Sequence, residues 1–154
     1  MKKILVLTLL FGYLAADTSA QDSEKAAIEE VITTLFDGMR IGDSSMVASA
    51  FHREAPMHTV YTNRDGNVVR GSGSLDGFLD AIGSPRENVW DEQILSVDVR
   101  IDADLASVWT PYKFFIDDTF SHCGVNSFQM AKLEGNWKII YIVDTRRGSN
   151  CIGD

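Results

Sequence analysis

Basic residues, cysteines and long apolar runs are all in short supply in this chain. Lys and Arg total 14 against 22 Asp and Glu, a formal charge of −8. A surface this acidic excludes nucleic acids and anionic membranes as partners, because both are held through basic patches. The two cysteines, Cys123 and Cys151, have no second pair of ligands nearby and cannot build a zinc site. His52, His58 and His122 are scattered and lack the helical i, i+4 spacing of a metal motif. No metal and no cofactor is therefore expected. Gly71-Ser72-Gly73-Ser74 has no following Lys-Ser/Thr and is not a phosphate loop, and neither a Gly-x-Ser-x-Gly elbow nor a cysteine paired with a base occurs. No repeat, low-complexity tract or linker divides the chain.

What is present begins with a leader. Lys2 and Lys3 precede an apolar stretch, Ile4 to Ala16, that is too short to cross a bilayer. Thr18-Ser19-Ala20 then offers small residues before a polar run, the order of a secretory signal peptide cleaved after Ala20. The competing reading is a buried N-terminal helix. Cleavage would take away Lys2, Lys3 and Asp17 and move the formal charge from −8 to −9. Residues 21–154 would remain as one exported domain, periplasmic or secreted, with no further apolar run to hold it in a membrane. No cysteine stands directly after the cleavage site, which argues against a bacterial lipoprotein. In an oxidising compartment Cys123 and Cys151 can form a disulfide that ties the chain end to the final hairpin; two free thiols are the alternative.

With 45% hydrophobic residues, the domain can bury a sizeable core. Ala27, Ile28, Val31, Ile32, Leu35, Phe36 and Met39 follow i, i+3, i+4, i+7 spacing and predict a helix from Gln21 to Gly42, capped by Asp22 or Ser23. Ser44 or Asp43 caps a second, shorter helix carrying Met46, Val47, Ala50 and Phe51, which stops before Pro56. Met57 to Thr62 and Val68 to Arg70 read as two strands around the turn cluster 63–67. Gly71 to Ser74 is expected as a loop, and Ser74 caps a short helix. Val89 to Ile101 alternates as one strand, and Leu105 to Ile116 returns. A last hairpin, His122 to Arg147, turns at Gly135-Asn136. The class is α+β: a curved antiparallel sheet wrapped around the N-terminal helix as a cone. Its one open end holds either packed side chains or a ligand.

The last strands carry a resemblance. Ala106-Ser107-Val108-Trp109-Thr110-Pro111-Tyr112, His122 to Gln129, Gly135-Asn136-Trp137-Lys138-Ile139 and Asp144-Thr145-Arg146-Arg147 resemble the nuclear transport factor 2-like superfamily, on its SnoaL-like and "putative lumazine-binding" side. The resemblance implies a cystatin-like roll and a homodimer. The superfamily includes ketosteroid isomerases, so their scheme can be tested by position. An ungapped alignment from Gly42-Asp43 puts Leu35 at the oxyanion-hole tyrosine and Thr59 at the general-base aspartate, with Gln129 near the protonated acid. Leucine and threonine cannot fill those roles, and ketosteroid isomerisation is disfavoured.

Several residues nevertheless point to a pocket. His122 and Asp144 are the acid–base candidates, and antiparallel pairing gathers them with Asn126 and Arg146. The bland alternative is a salt bridge closing the sheet's open end. Trp90, Trp109 and Tyr112 offer aromatic walls for a planar ligand, or they are ordinary core. Met57, Thr59 and Tyr61 are expected to line the cavity, with His58 turned away by the two-residue period. Pro111 marks an edge or a bulge. Three functions stay open: an exported binding module for a small, partly aromatic molecule; a SnoaL-like isomerase, cyclase or dehydratase; and a structural dimerisation domain with a filled cone.

Overall fold

An amphipathic helix and a strongly bent sheet define the architecture. In the computed structural model, residues 4–153 are described, with side chains from residue 20 onward. The proposed signal segment, residues 1–20, therefore falls outside the described side chains except for Ala20. Helix α1 runs Ile4–Ile41. It passes through the position where a cap was expected: Ser23 Oγ donates to the Ala20 carbonyl at 2.8 Å, and a continuing helix leaves no orphan N–H groups there to cap. Gly42, at φ +77, ends it as expected.

The apolar stripe of α1 sets the core. Ile28, Ile32, Leu35 and Met39 are all at most 4% exposed, a burial that contributes roughly 6–12 kcal/mol in total. The exposed Lys25–Glu29 pair on the outer face of the same helix adds only about 0.3–0.5 kcal/mol, so packing holds the helix. Midway along the helix, Glu24 takes hydrogen bonds from Lys132 Nζ at 2.6 Å and Trp137 Nε1 at 2.7 Å. Helix α2, Ser44–Ala50, is capped by Asp43, whose carboxylate accepts the Met46 N–H.

Strands β1 (Met57–Thr62) and β2 (Val68–Gly73) form a hairpin. Gly71 to Gly73 is thus strand rather than loop, because it satisfies the backbone of β1 from Met57 to Thr59. Ser74 caps helix α3, Leu75–Gly83. The expected single strand from Val89 to Ile101 is two: β3, Trp90–Ile94, and β4, Asp98–Asp102, both antiparallel to β5, Leu105–Ile116. Pro111 lies opposite the break between them, with its carbonyl accepting the Leu95 N–H. The missing proline donor falls where the neighbouring ladder is interrupted.

Strands β6 (Thr119–Leu133) and β7 (Asn136–Arg146) make the last hairpin. Its turn residues are Glu134 and Gly135, both at positive φ, one position earlier than read from the sequence. The sheet order is β2-β1-β7-β6-β5-β3, with β4 also on β5. Strand β1 runs parallel to β7, so the curved, unclosed sheet is mixed rather than wholly antiparallel. A Cys123–Cys151 disulfide fastens the chain end to β6.

Candidate functional site

Strand alternation decides which side chains look into the cone. At its narrow end Ala106, Val108, Phe128, Met130 and Ile139, each at most 1% exposed, meet α1 and fill the space. Phe36 packs edge-on to Phe128 at 6.4 Å between ring centres. Toward the wide end the same inner faces carry Thr110, Tyr112, Phe114, His122, Asn126, Asp144 and Arg146, and the filling stops. A cavity of about 560 Å³ remains, walled by Leu35, Phe36 and Met39 of α1, Phe78 of α3, and Trp90, Phe114 and Ile142 of the sheet. That size suits a small organic ligand.

The polar groups of the cavity fall into neighbouring hydrogen-bonded groups, one around Asp144, one around Asn126 and one at His122. Arg146 Nε donates to Asp144 Oδ2 at 2.7 Å. The Tyr112 hydroxyl lies 3.0 Å from the Thr145 carbonyl and 3.3 Å from Asp144 Oδ2. Asn126 Nδ2 donates to Glu92 Oε1 at 2.7 Å and reaches Thr110 Oγ1 at 3.3 Å. The His122 ring packs on Phe114 at 4.9 Å and edge-on to Tyr112 at 5.8 Å, and its Nδ1 meets Ser121 Oγ.

A local break in the β6–β7 ladder shapes this end. The Thr145 carbonyl turns inward to the Tyr112 hydroxyl, while Thr145 Oγ1 accepts the Val125 N–H at 3.1 Å. The carbonyl lies so close to Gly124 that a Cβ there would sit 1.7 Å from the oxygen. Glycine at 124 is therefore a requirement of close approach.

Charge states follow from enclosure. Glu92 keeps some surface toward the cavity, but protein surrounds its carboxyl, and burial pushes its pKa up from 4.5 to about 7. The Asn126 hydrogen bond opposes this shift, Asp144 reinforces it and Arg146 opposes it. Burial and the nearby Arg146 hold His122 below its ordinary value, against the pull of Asp144. Burial, then the negative groups Glu92 and Asp144, raise Tyr112. Burial alone would lower Arg146, but the hydrogen bond to Asp144 together with the negative charges of Asp144, Tyr112 and Glu92 outweighs it and raises the group.

Thr59, Trp90, Tyr112, His122, Asn126, Asp144 and Arg146, all expected at a pocket, are brought together on its wall. Three others are not. Trp109 alternates with Thr110, so it faces outward and is 51% exposed. Gln129 alternates with the buried Phe128 and bonds Ser107 on the outer face at 3.0 Å. Tyr61 shares the parity of Thr59, but β1 carries it past the rim to 41% exposure. His58 touches the cavity wall, yet its ring packs on Tyr141 outside the cone. Glu92 was missed. The phase of β3 is set by Trp90, Glu92 and Ile94 and that of β4 by Val99 and Ile101, and within the single strand expected there Glu92 was assigned no face. The phase switch around Leu95–Val97 was the available signal. Among the described residues no group of His, Cys, Asp and Glu could hold a metal ion, and no helix is long and apolar enough to cross a membrane.

A bent sheet closed by one long helix around such a cavity is the nuclear transport factor 2-like, cystatin-like fold. Solved structures agree. An NTF2-like protein of unknown function from Shewanella baltica aligns at a TM-score of 0.60 and 21% identity, over 82% of this chain and 96% of that one. An NTF2-like protein with a cystatin-like fold from Novosphingobium aromaticivorans aligns at 0.66 and 13%, over 97% and 94%. A "Putative Scytalone Dehydratase" from the same organism aligns at 0.66 and 16%, over 89% and 98%. At these identities the likeness is one of fold. The family is fixed by sequence: residues 23–143 match the model described as "Putative lumazine-binding", and the chain belongs to that family. No curated protein matches the sequence.

Proposed function

We propose that this chain is an exported small-molecule-binding domain, released by cleavage after Ala20, whose ligand occupies the wide end of the cone. The observation that carries the reading is the about 560 Å³ cavity, apolar on the helix side and furnished with Glu92, Tyr112, Asn126, Asp144, Arg146 and His122 on the sheet side. An apolar body would lie against Trp90, Phe36 and Phe114, and a polar edge would meet the hydrogen-bonded set. The family description supports a small-molecule ligand, and the disulfide suits an oxidising compartment.

Native mass spectrometry of the protein purified from the compartment that receives it tests this reading. A chain beginning at Gln21 with a non-covalent mass that denaturation releases is the expected spectrum. A chain that keeps residues 1–20 would remove the export reading. A bare chain that also binds nothing from a small-molecule extract would remove the binding reading. The same spectrum tests for a homodimer, which the outer face of the sheet would suit. Trp109, Ser107, Gln129 and Tyr141 on that face carry no charge, in a chain of −8 overall.

A second reading is acid–base catalysis on the bound molecule. It is favoured by Glu92, a carboxyl with a pKa of about 7 sharing a cavity with Asp144. Such a carboxyl can exchange a proton with a bound molecule near neutral pH.

A further inference from the structure

The two carboxyl groups at the wide end share one guanidinium unequally. Asp144 is paired in place, with Arg146 Nε at 2.7 Å. Glu92 takes its hydrogen bond from the neutral amide of Asn126. Other cations nearby are engaged elsewhere. Arg40 of α1 reaches across to Asp91, beside Glu92, at 2.8 Å. Arg86 is held by the Met39 and Ile82 carbonyls while it stacks 4.6 Å from the Trp90 ring. Among the described residues the remaining elements around the cavity bring no further Lys or Arg to it, and β1 adds the His58 ring. Leu35, Phe36 and Met39 come from α1, Phe78 from α3, Thr59 from β1, Tyr112 from β5 and His122 from β6.

We propose that the ligand of this site is an organic monocation with a flat apolar body, of the amine or amidine class, which seats its positive group against Glu92. This rests on the ligand-binding reading above and names its chemical class. A buried carboxylate without a countercharge is costly, and a cation that supplies the countercharge removes that cost. The Phe36 and Phe114 rings that wall the cavity favour a cation at their faces, while the Trp90 ring already carries Arg86. In the empty site Glu92 holds its proton up to a pH of about 7. Binding is then an exchange: the cation enters, the Glu92 O–H bond breaks, and one proton leaves to solvent as the carboxylate stays paired with the ligand. His122, if it became charged at lower pH, would repel the cation and act in the same direction, so a variant at Glu92 is needed to separate the two.

Benzamidine, a planar cation, and benzamide, its neutral counterpart, are suitable probes for titration calorimetry on the full mature domain. Linkage to Glu92 predicts that benzamidine binds roughly tenfold or more tightly at about pH 8.5 than at about pH 5.5, whereas benzamide does not. Repeating the acid titration in buffers of different ionisation enthalpy should show close to one proton released per benzamidine bound, and the same titration of Glu92→Gln should show that release lost. Glu92→Gln should remove most of this pH dependence, and any remainder belongs to His122; a variant that keeps the parent's full pH dependence overturns the assignment to Glu92. Benzamide binding as tightly as benzamidine at alkaline pH overturns the cation assignment and leaves a site for neutral molecules standing. Benzamidine binding without proton release, or failure of both probes to bind, also overturns the assignment. Whether the cavity holds any ligand is read independently from the co-purified mass.

Discussion

The two ends of the cone are made from the same strands and the same helix, yet one is filled and the other is not. At the narrow end β5, β6 and β7 present Val108, Phe128 and Ile139, all at most 1% exposed, to the apolar stripe of α1. Further along the same inner faces, at the wide end, come Thr110, Asn126 and Asp144, still at most 7% exposed but polar. Burying these groups is tolerable only because each is hydrogen-bonded. Fold stability is therefore concentrated at the narrow end, and chemistry at the wide one.

The sharpest way to break this contrast is to cut one aromatic side chain at each end. Phe128→Ala, in the filled end, is expected to cost about 3–5 kcal/mol. Phe114→Ala, whose ring already borders empty space, should cost only about 1–2 kcal/mol. Urea unfolding of both variants reads the difference, and equal losses would mean that the two ends are packed alike.

Next in size is the disulfide. Cys123 and Cys151 are separated by 28 residues, and a loop of that length implies about 3.6 kcal/mol from the loop-entropy model. Cys151→Ala should lose that amount under oxidising conditions, and added reductant should then have no effect on the variant. A variant as stable as the oxidised parent would place the anchoring of the rim elsewhere.

Glu92 distinguishes the ends by pH. Its folded pKa of about 7 stands above the ordinary 4.5, so the native state binds more protons than the unfolded chain between these values. Stability should fall as pH rises through that window, by up to about 3 kcal/mol, and the cost should be absent below it. Glu92→Gln should therefore gain about 2 kcal/mol at alkaline pH and little at about pH 4.5. Denaturant unfolding at the two pH values checks the sign, and an unchanged pH slope in the variant would place the proton on another group. Smallest is Tyr112→Phe, which removes the donor to the Thr145 carbonyl and should cost about 1 kcal/mol in the same assay.

Much of the fold was legible because period alone decides it. The spacing of Ile28, Ile32, Leu35 and Met39 set the buried face of α1, and Asn126, Phe128, Asp144 and Arg146 alternated in phase on the last hairpin. Period also held the answer for Trp109, since it cannot share a face with Tyr112 without a bulge between them. What could not be read locally depends on tertiary pairing. The parallel contact of β1 with β7 brings Thr59 beside Asp144, and the inward turn of the Thr145 carbonyl depends on the glycine across from it. Glu92 fell between these cases: its alternation with Trp90 and Ile94 was visible, but the stronger apolar phase of Val97, Val99 and Ile101 masked it.

That residue also offers the most direct measurement. Glu92 can be followed by carbon-13 NMR of its side-chain carboxyl across a pH titration of the ligand-free domain. A midpoint of about 7 is expected, with benzamidine moving it lower. A midpoint near 4.5, unmoved by the probe, would show a solvated rim carboxylate in place of an enclosed one and would contradict the assignment of the wide end as a built ligand site.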